Sequence, residues 1–228
     1  MNPSSNPLIM LVDIFRSPQD CFTALYERSA WGWQPFIVLL ITPFLFWGAY
    51  FANVDFEWLK TGLSAQMEAT NPDLIHLLEA DTLLASEIIS DVMSRTLTII
   101  LLALWFNLAT RQGSAKLGFW KWFAASSVII FPAVIGDLAS YASMLLKHGQ
   151  VMSYAADLNS LNGLIKLPLT NPWSPFTSSF PLLLPWYIFL GYAVVITWTR
   201  IERAQAIVIA TLPWVAYYGI WAITIAIS

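Results

Sequence analysis

AQAIVIATLPWVAYYGIWAITIAIS, residues 204–228, runs for 25 positions without one charged side chain. A bilayer core about 30 Å thick is crossed by roughly 20 apolar residues in a helix, so this stretch predicts a transmembrane span over 204–227. The same rule, applied outward, finds two further long uncharged runs. Between Arg28 and Asp55 there are 26 residues, predicting a span at 31–51, and between Lys166 and Arg200 there are 33, predicting one at 180–199. Two shorter runs of 15 residues each, TLTIILLALWFNLAT after Arg95 and WFAASSVIIFPAVIG after Lys121, need their flanking charges to reach span length. They give spans at 91–110 and 120–146. The expectation is an all-α membrane protein, a bundle of five transmembrane helices over 31–228, preceded by an amphipathic segment at 1–30.

Composition points the same way. The 228-residue chain is 57% hydrophobic and 11% charged, less than half the roughly 25% charge of a soluble domain. Such a chain cannot cover its surface in water. A net charge of −3 argues against a nucleic-acid partner, which requires a basic face. Cys21 is the single cysteine, so no disulfide forms within the chain. Asp13, Arg16, Asp20, Glu27 and Arg28 interrupt the first apolar residues, which is unlike a cleavable signal.

Lysine and arginine set the expected orientation. Arg16, Arg28, Arg111, Lys116, Lys121, Arg200 and Arg203 gather on one side of the five spans, against Lys60, Lys147 and Lys166 on the other. This predicts a cytoplasmic N-terminus and an outer C-terminus. Trp31, Trp33, Trp105, Trp120, Trp122 and Trp198 fall near the inner boundary and read as an aromatic belt.

Outside the spans, Asn6-Pro7 and Ser17-Pro18 each open a short helix, proline being suited to the first helical position. Leu8, Leu11 and Phe15 share one face of the first, and Phe22, Leu25 and Tyr26 one face of the second. Both are expected at the cytoplasmic interface, either closing the bundle from below or presenting Phe15, Arg16, Pro18 and Phe22 to a partner. The acidic loop that follows (Asp55, Glu57, Glu68, Asp73, Glu79, Asp81, Glu87 and Asp91) reads as a solvated helix face. Asn71-Pro72 would start its helix, with Leu74, Leu77, Leu78, Leu84, Ile88 and Val92 as the apolar stripe.

No catalytic motif is present, neither a metalloprotease helix nor a nucleophile elbow nor a phosphate-cradling glycine loop. His76 and His148 have no second ligand beside them, so neither a metal nor another cofactor is expected. The candidate partners are lipid, other membrane proteins and further copies of the chain. The costly feature is charge inside the membrane. Asp137 follows Lys121 by 16 residues and Arg95 precedes Arg111 by 16, which puts each roughly 24 Å along its helix. On neighbouring antiparallel spans they reach one depth. Three uses are open: an ion pair that fixes register, a gate or ion-coupled site, or an Arg95 that snorkels outward. Pro43, Pro132, Pro181, Pro185 and Pro213 sit within or beside spans and can kink them. Pro132 and Gly136 form the candidate hinge, and Gly136 with Ser140 suits close helix contact.

Three stretches carry a family resemblance. NPLIMLVDIFRSPQDCFTALYERSAWGWQPFIVLLI (6–41), RQGSAKLGFWKWFAASSVIIFPAVI (111–135) and RIERAQAIVIATLPWVAYY (200–218) are similar to the opening segment, the inner turn with its mid-helix proline and the last basic turn of the YIP family. These are the Ypt/Rab-interacting membrane proteins and their bacterial relatives. The resemblance implies five spans, a cytoplasmic N-terminus and a non-enzymatic membrane organiser or adaptor. A small permease or channel for an ion, small solute or lipid is the alternative reading of the residues. The N-terminal segment is shorter than that of eukaryotic members, which implies a bacterial inner-membrane homologue.

Overall fold

The computed structural model of the protein describes residues 3–68, 78–111, 117–146 and 149–227. The expected helix start at Asn71-Pro72, with Leu74, His76 and Leu77, lies outside the described residues, as do Lys116, Lys147 and His148. Apart from two isolated bridges, Val54 with Gly149 and Ser160 with Pro181, the described residues are helical, turn or irregular.

In chain order the helices are α1 (Pro7–Arg16), α2 (Pro18–Glu27), a 3₁₀ turn (Ser29–Gly32), α3 (Trp33–Asn53), α4 (Phe56–Glu68), α5 (Ala80–Ala109), α6 (Phe119–Ile130) and α7 (Ala133–Leu146). Then come three short pieces, α8 (Ser153–Ala156), α9 (Leu161–Ile165) and α10 (Ser174–Ser179), before α11 (Leu184–Trp198) and α12 (Arg203–Ile227). Among the described residues four stretches are long and apolar enough to cross a membrane: Ser29–Asn53, Ala80–Ala109, Phe119–Leu146 and Arg203–Ile227. The fifth apolar helix, α11, has 15 residues, or about 22 Å. It is shorter than the run at 180–199 because Pro185 fixes its first turn and Phe180 bonds elsewhere, its carbonyl accepting from Leu161 N at 2.8 Å. The third span is broken: α6 ends at Ile130 and α7 starts at Ala133, with Pro132 in the turn between them.

The chain divides into two compact units. The first comprises Met1–Leu39, Arg95–Pro132 and Leu183–Thr224, the second Leu40–Ser94, Ala133–Leu182 and Ile225–Ser228. In the first, Trp198 is the hub. Its indole N–H donates to the Phe22 carbonyl at 2.7 Å, and its ring meets Phe22 and Tyr26 edge-on and Trp122 at 5.2 Å. Trp122 in turn stacks on Phe106. Trp122 and Trp198 are therefore buried core rather than part of an interfacial belt, while Trp33 and Trp120 stay exposed. In the second unit the core gathers Phe46, Trp47, Tyr50, Leu59 and Met144, with Leu84 and Ile88 packed against it.

Both N-terminal helices begin as their sequences dictate. The Asn6 side chain accepts from Ile9 N at 2.9 Å, and the Ser17 hydroxyl donates to Asp20 at 2.6 Å. The buried faces differ from the expected ones. In α1 the buried residues are Met10 and Ile14, while Leu8, Ile9, Val12 and Phe15 are exposed. The sequence does have a period, with Asp13 and Arg16 on one side, but the docked face is turned from the one opposite them, and the Ser4 hydroxyl donates to Asp13 at 2.7 Å. In α2, Cys21, Phe22, Ala24 and Leu25 are buried and Tyr26 is exposed.

Candidate functional site

The polar centre of the second unit is Asp137, buried on α7. Both of its carboxyl oxygens accept hydrogen bonds, one from the Thr42 hydroxyl of α3 and one from the Asn159 side-chain amide. Asn159 also donates to the Ala133 carbonyl at 3.0 Å, and its own carbonyl accepts from Leu182 N at 2.9 Å. Gly136 makes this possible. A Cβ there would stand 1.9 Å from the Asn159 amide oxygen, so only glycine leaves room for that side chain. One turn on, the Ser140 hydroxyl donates to the Gly136 carbonyl at 2.9 Å and accepts from Leu158 N at 2.8 Å. Thr42, Asp137, Asn159 and Ser140 thus bind the 157–163 segment to α3 and α7.

That segment has its own polar hub, which the sequence does not single out. Asn162 is fully buried, and its amide donates to the Leu167 carbonyl and to the hydroxyls of Ser174 and Ser178 while its oxygen accepts from Leu167 N at 2.8 Å. Asn159-Ser-Leu-Asn162-Gly is a loop-like run; what it bonds to is fixed only by tertiary structure.

Beside the centre stand further acids. Trp47 donates to Asp91 at 2.8 Å. Asp157 is raised from 3.8 to about 6, chiefly by burial, with the Asn159 amide and Ser160 hydroxyl opposing and the Asp91 and Asp137 carboxyls adding to it. A carboxyl whose folded pKa is raised holds its proton longer when folded than when unfolded. The stability that Asp157 contributes is then fully present below 3.8 and is lost as pH rises through about 6. Asp157→Asn, which keeps the acceptor oxygen, should flatten the pH dependence of the unfolding midpoint across that window. A variant that keeps the wild-type slope would refute this.

Arg95 belongs to the first unit and Asp137 to the second. The Arg95 guanidinium donates to the Leu39 carbonyl at 3.2 Å. Residue 43, four positions on in α3, is a proline and has no N–H to offer that carbonyl. The same device recurs in α12, where Pro213 leaves the Ile209 carbonyl open and the Trp105 indole donates to it at 2.8 Å. Two side chains of α5 therefore complete two proline-interrupted ladders.

Of the N-terminal candidates, Phe15 is exposed and stacks 6.3 Å from Trp186, Arg16 is exposed in the last turn of α1, and Pro18 opens α2. Phe22 is fully buried, so it docks the helix and offers no outer surface. Burial and the nearby Asp13 push the Cys21 thiol well up, which makes it inert. Among the described residues no group of three or more histidine, cysteine, aspartate or glutamate side chains could hold a metal ion.

Apolar helices of spanning length, broken by proline and carrying a satisfied polar centre, define a multi-pass helical membrane protein. The Yip1 domain model matches residues 12–224, and the chain belongs to that family. None of the curated proteins and none of the solved structures matches it.

Proposed function

We infer that this chain is a non-enzymatic membrane organiser, working through contacts with lipids and other membrane proteins. The observation that supports this reading is the engagement of Asp137. Its carboxyl oxygens accept from Thr42 and Asn159, so the costly polarity within the second unit is spent on holding segments together. The outer faces of α5 and α12 are left for contact: Met93, Leu97, Leu101, Ile220 and Ile223 are all more than half exposed. Phospholipid vesicles carrying the purified protein should pass protons and potassium no faster than empty vesicles. Flux that Asp137→Asn abolishes would overturn the organiser reading. It would favour a small permease, for which the closeness of Asp91, Asp137 and Asp157 is the supporting observation.

The Lys and Arg distribution supports an N-terminus in the cytoplasm and a C-terminus outside. Reporters inserted after residue 115 should read inside, and those after residues 65 and 160 or at the C-terminus outside. A cytoplasmic C-terminus would discard this topology.

A further inference from the structure

A groove of about 240 Å³ opens in the first unit between the 3₁₀ turn and α6, lined by Ser29, Ala30, Gly32 and Trp33 and by Trp120, Phe123 and Ala124 of α6. The three rings are mutually close: Trp33 to Trp120 is 6.3 Å, Trp33 to Phe123 5.7 Å and Trp120 to Phe123 5.8 Å. Phe123 is buried, while Trp33 and Trp120 are 48% and 66% exposed, so the aromatic wall faces outward. The turn is held tightly against α6, since a Cβ on Gly32 would stand 2.3 Å from that of Ala124. This close approach shapes the groove and leaves no side chain of its own to fill it.

Two cations adjoin the lining residues in the chain, Arg28 before Ser29 and Lys121 after Trp120 on α6. The Arg28 guanidinium lies 4.8 Å over the Trp31 ring. The Lys121 ammonium lies 3.9 Å over the Tyr26 ring and donates to the Tyr26 carbonyl at 3.1 Å. Among the described residues neither meets a carboxylate, and Glu27, the residue before Arg28, engages neither. The Arg28 guanidinium, stacked on a ring, keeps its N–H fork for an anion, and the Lys121 ammonium keeps the donors it does not give to the Tyr26 carbonyl. Exposed tryptophan beside unpaired Arg and Lys matches the level of a bilayer where headgroup phosphates meet the first acyl carbons. A cationic choline is a poor occupant, because the two fixed positive charges repel it.

We propose that this groove binds one anionic phospholipid, its glycerol and upper acyl carbons against Trp33, Trp120 and Phe123 and its phosphate held by Arg28 and Lys121. This goes beyond the organiser reading and stands whichever way the flux experiment falls.

The test uses the full chain in nanodiscs that mix phosphatidylglycerol with phosphatidylcholine, one or the other carrying a diazirine high in its acyl chain. After photolysis, adducts are mapped by peptide mass spectrometry. The phosphatidylglycerol probe should label 29–33 and 120–124 on the order of tenfold more than the phosphatidylcholine probe, from two basic contacts near the surface. Arg28→Gln with Lys121→Gln should remove that preference and leave labelling on α12 unchanged. Equal labelling by the two probes means a boundary lipid without headgroup recognition and overturns the proposal. So does stronger labelling by phosphatidylcholine, no labelling at these peptides, or a preference that survives in the folded double variant. Should that variant fail to fold, the comparison of probes on the unaltered chain decides alone.

Discussion

Asp137→Ala is expected to lower the unfolding free energy by about 3 kcal/mol, since buried donors that lose their acceptor cost roughly 1–3 kcal/mol each. The Thr42 hydroxyl and the Asn159 amide both donate to this residue. Interhelical hydrogen bonds in membranes are usually weaker, averaging about 0.6 kcal/mol, because the unfolded chain finds other partners in lipid. Here Asn159 comes from a segment between spans and also bridges Ala133 and Leu182, so several bonds are lost together. Unfolding in mixed micelles measures the loss. Asp137→Asn, which retains one acceptor oxygen but sets an amide against a donor, should fall between the two. A loss for Asp137→Ala under about 1 kcal/mol would place this bond with the ordinary membrane hydrogen bonds and remove its role as an anchor.

Trp198→Ala should cost about 3–5 kcal/mol, as truncation of a buried aromatic does. It deletes the ring that Phe22, Tyr26 and Trp122 share and the bond to the Phe22 carbonyl. The effect should also be local. Amide exchange should speed up across 18–27, the helix that this tryptophan clamps, while 46–59 in the other unit's core keeps its protection. Equal loss in both places would mean that α2 does not open as a separate element.

Much of the architecture can be read directly from charge spacing. An uncharged run of spanning length has few alternatives to a helix in lipid, and Asn6-Pro7 and Ser17-Pro18 announce helix starts through local chemistry alone. The face of α1 could not be read this way. With Leu8, Ile9, Met10, Leu11, Val12, Ile14 and Phe15 all apolar, docking on Met10 and Ile14 is decided by what the helix meets. Tryptophans near a boundary read as a belt, yet Trp122 and Trp198 point inward and only structure separates them from Trp33 and Trp120. The polar centre was half visible. Asp137 stands out as a charge within a span, and Gly136 and Ser140 as small residues beside it. Asn159 and Asn162 look like ordinary loop residues, because their importance lies in contacts with Asp137, Ala133, Ser174 and Ser178.

The proline gaps carry a consequence for how such a chain can change over generations. Pro213 has no N–H to offer the Ile209 carbonyl, and the Trp105 indole supplies the missing donor at that partly buried oxygen. Loss of the proline first lets the backbone close its ladder and leaves the tryptophan a bystander. Loss of the tryptophan first strands a carbonyl in a medium without water to satisfy it. The two orders of substitution are therefore unequal, and the route through the proline is the passable one. Pro43 and Arg95 obey the same asymmetry at the Leu39 carbonyl. Residues far apart in the chain are bound into inherited pairs, in which the helix breaker is free to leave and its partner is not.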